Sequence, residues 1–292
     1  MTNPCRVSDK PAASKPDDTL APQLRLTSLP RQARLGINRC NLPAVILGSL
    51  TFQQHPVALE IDGVTAIHHR LFKQLDTLTD SRQRARYFMD YMAVYFRLQA
   101  LEAVGLSTGK LRGRADYLRM VRGWAFDPDC REGAVLKAWV ESRFGLLTLF
   151  HGGDITDRSG ETYLRYLEAR SRGLYNTNAL EAQLDLLYTY GQYELRRQYP
   201  EQRQLALYRG LNRLGDHQVL SKIDRRNWIV LCNNLSSFTS SLERADEFGD
   251  RILRVQVPLA KIFFYNRMLP GFLKGEDEYV VIGGVYEVER VA

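Results

Sequence analysis

The sequence predicts an α+β fold with helices first and strands second, on three observations. Apolar residues recur at helical spacing in four segments before Pro200. Beyond Pro200 the segments become rich in β-branched and aromatic residues with turn chemistry between them. The two kinds do not alternate, which separates the pattern from a parallel βαβ arrangement.

The elements follow in chain order. Residues 1–22 are rich in Pro, Ser, Asp and Lys and predict a disordered tail. Residues 42–50 are an apolar run too short to type, and 57–64 alternate like a short strand ending in Asp62-Gly63. Asp80 is a suitable N-cap for a helix carrying Ala85, Phe88, Met89, Met92, Tyr95, Phe96 and Leu98 until Gly105; the aromatic stripe reads as core. Helices also fit Gly133–Phe144, Glu161–Arg170 and Ala179–Tyr199, the last entered after Asn176-Thr177-Asn178 and closed by Pro200. Strands fit 205–210, 227–238, 251–265 and 277–291, with one short helix at 243–248. The expected organisation is the tail, a mainly helical region over 23–200, and a β-rich core over 201–292, with 160–200 able to pack as one unit with that core.

Composition narrows the function classes. Forty Lys+Arg against 33 Asp+Glu give a net charge of +7, spread along helices without a dense basic tract, so no nucleic-acid partner is expected. The cysteines (Cys5, Cys40, Cys130, Cys232) form no C-x-x-C pair and the five histidines show no ligand spacing, so no metal is expected. The N-terminus has no apolar signal core, and no run approaches the roughly 18 residues that span a bilayer. A reduced, cytoplasmic protein without a membrane span is the expectation.

Three polar features interrupt the strands. Arg209 ends an apolar run and precedes Gly210; a guanidinium there offers a diphosphate a planar fork of donors, and the glycine lets a ligand approach the backbone. The run from Ser236 to Ser241 supplies hydroxyls for a ribose or a carboxylate. Glu276-Asp277-Glu278 opens the last strand, and in extended backbone its two glutamates share a face about 7 Å apart. Taken singly, each has a plainer explanation: an arginine leaving a strand for water, a helix cap, and charged gatekeepers before an apolar strand.

In order, Tyr208-Arg209-Gly210, then Phe238-Thr239-Ser240-Ser241 with Ala245 and Phe248-Gly249, then Glu276-x-Glu278, resemble the Arg–Ser–Glu class of ADP-ribosyltransferases. GWAFDPDCREGAVLKAWVESRFGLLTLFHGG (123–153) and GLYNTNALEAQ (173–183) extend the resemblance to the dinitrogenase reductase ADP-ribosyltransferase family, from about Leu29 to the C-terminus. The resemblance implies a split, two-sheet antiparallel NAD-binding core, with NAD as substrate.

It also implies roles. Arg209 would bind the NAD phosphates or nicotinamide ribose, Gly210 the nicotinamide amide through its backbone, and Phe248 would pack against the nicotinamide. Thr239, Ser240 and Ser241 would form the hydroxyl motif, with Ser240 orienting the glutamate and the register open by one. Glu278 would stabilise the oxocarbenium-like ribose, and Glu276 would grip and deprotonate an acceptor arginine. The implied target is dinitrogenase reductase, whose modification reversibly inactivates nitrogenase, and the implied regulator is a PII-type nitrogen-signalling protein. A different protein target, or a regulatory protein on the same fold without turnover, stays open from the residues alone.

Overall fold

A computed structural model of the chain describes residues 28–98, 116–174, 179–212, 218–269, 271 and 277–291. The tail expected at 1–22, the helix end expected at Gly105, the entry Asn176-Thr177-Asn178 and Glu276 lie outside these residues. Among the described residues ten α-helices precede or interrupt six strands. The helices are α1 (Ala44–Leu47), α2 (Leu50–Gln54), α3 (Val64–Ile67), α4 (His69–Asp76), α5 (Ser81–Tyr95), α6 (Tyr117–Phe126), α7 (Arg131–Phe144), α8 (Glu161–Gly173), α9 (Leu180–Gln198) and α10 (Leu242–Asp246). The strands are β1 (Gln204–Leu211), β2 (Gln218–Lys222), β3 (Asn227–Thr239), β4 (Arg251–Pro258), β5 (Ile262–Tyr265) and β6 (Glu278–Arg290).

Local chemistry sets several boundaries. The Asp80 carboxylate accepts from the Gln83 amide at 3.0 Å and starts α5. That helix stops at Tyr95, well before Gly105, because Arg97 turns into the left-handed region at φ 53°. Phe88 and Met92 on its inner face are fully buried, as core residues should be. Asp116 caps α6, a helix the sequence reading did not separate out. The strand expected at 57–64 is instead an Asp62-Gly63 turn, with Gly63 at φ 77°, leading into α3. The run 251–265 divides after Pro258, where Leu259–Lys261 form a single 3₁₀ turn between β4 and β5.

All strand pairs are antiparallel, in the order β2-β3-β1-β4-β6-β5 with a further β3–β6 ladder. That ladder runs from Asn227–Glu289 to Thr239–Glu278, and its register shifts between Cys232 and Leu235. Asn233 and Asn234 there face only Gly283, so β3 carries one extra residue, a β-bulge. Their side chains bond outside the sheet. Asn233 Oδ1 accepts from the Leu149 and Phe150 amides at 2.9 and 3.3 Å, and Asn234 Nδ2 donates to the carbonyls of Lys137 and Leu146 at 2.8 and 3.2 Å. The bulge therefore fixes α7 and the segment after it over the middle of β3.

Helices and strands share one contiguous hydrophobic cluster. Trp139 of α7 packs on Phe263 of β5 with ring centroids 4.8 Å apart, and Phe144 meets Tyr188 of α9 at 5.3 Å. The Gln192 amide of α9 caps the Leu259 and Ile262 carbonyls at the strand break, at 3.0 and 2.8 Å.

Lys261 lies wholly inside this core. Its ammonium donates to the Gly283 carbonyl at 2.8 Å and lies 4.6 Å from the Tyr286 ring centroid. Burial pushes its pKa down to about 7. Below pH 7 the lysine is protonated folded or unfolded, and the folded state carries the full desolvation penalty. Between pH 7 and the unfolded value only the unfolded chain binds that proton, so stability from this group rises with pH, by on the order of 5 kcal/mol in all. Lys261→Met is therefore expected to stabilise the protein most at pH 6.5 and progressively less towards pH 9.5. Denaturant unfolding at both values checks this, and an equal change at the two would be the wrong result.

Candidate active site

The ends of β1 and β3 and the start of β6 meet at Thr239, which is paired with Tyr208 on one side and Glu278 on the other. Alternation along β3 puts Ser237 on the same face as Thr239. The Ser237 hydroxyl donates to Glu278 Oε1 at 2.6 Å and accepts from the Trp124 indole N–H at 2.9 Å. Arg209 crosses from β1 and donates from a terminal guanidinium nitrogen to the Ser237 carbonyl at 2.7 Å, with its charge 5.8 Å from the Phe238 ring centroid. These residues line a cleft of about 420 Å³, within the range of small-molecule sites.

Other predicted residues fall around them. Gly210, Thr239 and Phe248 line the cleft, and Phe248 is half exposed. A side chain at Gly210 would collide with the Ala245 carbonyl, so close packing of α10 on β1 itself requires glycine there. Ser240 is exposed beyond the end of β3 and is not among the cleft residues. Ser237, a diagonal neighbour two residues before Thr239, the register partner of Glu278, supplies a hydroxyl to the glutamate, whereas Ser240 lies beyond the end of the β3–β6 ladder. Ser241 instead caps α10, accepting from the Arg244 amide at 3.3 Å. Glu276 lies outside the described residues. Asp277 has φ 46° and accepts from Arg267 at 2.7 Å, so strand alternation does not extend back through it from Glu278.

The far wall comes from the helical region, where no local signal in the sequence marks a site. Lys137 of α7 is buried; its ammonium donates to Asp129 at 2.8 Å and to the Phe150 carbonyl at 3.1 Å, and lies 3.2 Å from His151 Nδ1. Burial pushes the Lys137 pKa down, against the pull of Asp129 in the other direction. Burial, reinforced by Lys137, pushes His151 down to about 4, so its imidazole is neutral near pH 7 and accepts from the lysine. Trp124 and Asp129 stand in the 123–153 segment, but nothing in their spacing points towards β3. Contacts distant in sequence bring them there: the Trp124–Ser237 hydrogen bond, the bulge contacts of Asn233 and Asn234 with the segment 137–150, and the shared hydrophobic cluster.

The profile of the family described as dinitrogenase reductase ADP-ribosyltransferase matches residues 37–290. The chain belongs to this family. A relative of the dinitrogenase reductase ADP-ribosyltransferases, the NAD(+)–dinitrogen-reductase ADP-D-ribosyltransferase of Rhodospirillum rubrum, is 40% identical over 257 residues, covering 86% of this chain and 93% of that protein. No solved structure matches the chain. Among the described residues of this family member no group of three His, Cys, Asp or Glu side chains could hold a metal ion. No helix among them is long and apolar enough to cross a membrane.

Proposed function

We propose that this chain transfers ADP-ribose from NAD to an arginine side chain of dinitrogenase reductase, releasing nicotinamide and reversibly inactivating nitrogenase. The observation that carries the reading is the Ser237–Glu278 hydrogen bond, in a cleft that also holds Arg209, in a member of this family. Arg209 is a cation suited to the NAD diphosphate, and its second contact with β3 holds it near the glutamate.

The chemistry divides between two carboxylates. The bond between the ribose C1′ and nicotinamide breaks with its electron pair leaving on neutral nicotinamide, and positive charge grows on the ribose. Glu278, its Oε1 already held by Ser237, stabilises that charge as it develops; preorganised electrostatics of this kind is commonly the largest catalytic contribution. A guanidino nitrogen of the acceptor then bonds to C1′ and loses a proton. Glu276 takes that proton in this reading and confers arginine specificity. Phe248, half exposed at the cleft, packs on the nicotinamide, and Gly210 and Thr239 complete its surroundings.

We read the six strands as two leaves that part at the Asn233–Asn234 bulge, the split arrangement of NAD-binding transferases. β2 and β4 flank one end of the β3–β6 ladder and β1 and β5 the other, with β1 and β4, paired along their whole length, joining the two. The region over 23–200 then meets the target and a PII-type regulator in the cytoplasm and walls one side of the cleft, while 201–292 supplies the groups that hold NAD.

Incubation with NAD labelled in its adenylate half and purified dinitrogenase reductase tests the proposal, with the modified residue located by mass spectrometry. The expected product is ADP-ribose on one arginine. Label on other proteins but never on this one removes the target. Label on a different residue type removes the arginine assignment, and absence of nicotinamide release removes the enzyme.

A further inference from the structure

We infer that Trp124 is a positioning residue for the NAD-cleaving glutamate, acting through the Ser237 hydroxyl. The inference rests on the role of Ser237 and Glu278 proposed above. A serine hydroxyl has one proton and can turn among staggered positions, so by itself it has no fixed direction of donation. An indole nitrogen only donates. With the Trp124 N–H directed at Ser237 Oγ at 2.9 Å, the serine must accept there, and its own proton is left for Glu278 Oε1 at 2.6 Å. The three groups form a chain of hydrogen bonds with one direction, ending on the carboxylate.

The tryptophan is itself held on every side. Its ring is 2% exposed, and the Lys137 ammonium lies 5.8 Å from its centroid, fixed in turn by Asp129 and the Phe150 carbonyl. A cation over the ring face draws electron density from the indole and strengthens its N–H as a donor. The helix that carries it is capped by Asp116 and tied to α9 through the Tyr117 amide, which donates to Gln183 Oε1 at 3.0 Å. Supporting contacts of this kind keep a catalytic group in its productive geometry. The helical region therefore contributes to the catalytic centre itself, in addition to any surface it offers to partners.

A double-mutant cycle on nicotinamide release tests this. Trp124→Phe removes the N–H and keeps a ring; kcat is expected to fall about tenfold, the value of one hydrogen bond to a charged network, with KM for NAD within about twofold. Ser237→Ala is expected to lower kcat by about thirtyfold. The double variant should equal Ser237→Ala, because the indole has no hydroxyl left to direct. Losses that multiply in the double variant assign Trp124 to packing alone and overturn the inference, as does a rise in KM with kcat kept. The isosteric benzothienylalanine at position 124 replaces N–H by sulfur with the packing unchanged, and should reproduce the kcat loss even if Trp124→Phe folds poorly. Full activity with that isostere also overturns the inference. If Ser237→Ala is as active as the parent, the underlying reading of Ser237 fails and takes this inference with it, a result distinct from multiplicative losses.

Discussion

Glu278→Gln is expected to lower kcat for nicotinamide release by about a hundred- to a thousandfold, the range found when one preorganised charge-stabilising group is lost. The substitution keeps the shape of the side chain and can still accept from Ser237, so the fold at the start of β6 should be undisturbed. What disappears is the full negative charge beside the ribose as nicotinamide departs. Binding of NAD depends on other groups, so Kd by calorimetry should stay within about threefold of the parent value. A loss of binding equal to the loss of rate would assign Glu278 to substrate binding instead. Transfer to the protein acceptor should fall in parallel with nicotinamide release, because both follow the same bond cleavage.

Arg209→Ala carries the second large effect, mainly on KM. A charge-assisted contact with a phosphate is worth roughly 1.5–3 kcal/mol, so KM for NAD should rise by about ten- to a hundredfold. The guanidinium also braces β3 through the Ser237 carbonyl, and a smaller decrease in kcat should accompany the change. Arg209→Lys keeps the charge and loses the fork, and should fall between the two. Steady-state kinetics over a range of NAD concentrations checks the order, and an alanine variant with an unchanged KM would remove Arg209 from the phosphates.

Much of this arrangement was legible in the sequence because it depends on local signals. Asp80 marked a helix start through its short carboxylate, and the switch to β-branched residues after Pro200 marked the change of architecture. Arg209 and Glu278 stood out because each is a charge at the edge of an apolar run, and both line the cleft. The hydroxyl motif was harder. Ser236, Ser237, Thr239, Ser240 and Ser241 are chemically near-equivalent, and the β3–β6 register, which puts Ser237 diagonal to Glu278 on the same face, distinguishes Ser237 from Ser240. Register is a property of two strands, and neither states it alone. Trp124, Asp129 and Lys137 were invisible for a similar reason. They reach the cleft through contacts distant in sequence, among them the Trp124–Ser237 hydrogen bond and the bond from Asn234 of the bulge to the Lys137 carbonyl, 97 residues apart. Asp277 shows the converse, where a positive φ of 46° undoes an argument that assumed extended backbone.

The placement of Glu278's partner is where sequence and structure divide, and it is central to how the glutamate is oriented. Ser237→Ala and Ser240→Ala, assayed side by side for kcat of nicotinamide release, give the most direct measurement. A fall of about thirtyfold is expected for Ser237→Ala and a value within about twofold of the parent for the exposed Ser240→Ala. Full activity in Ser237→Ala together with a large loss in Ser240→Ala would contradict this placement.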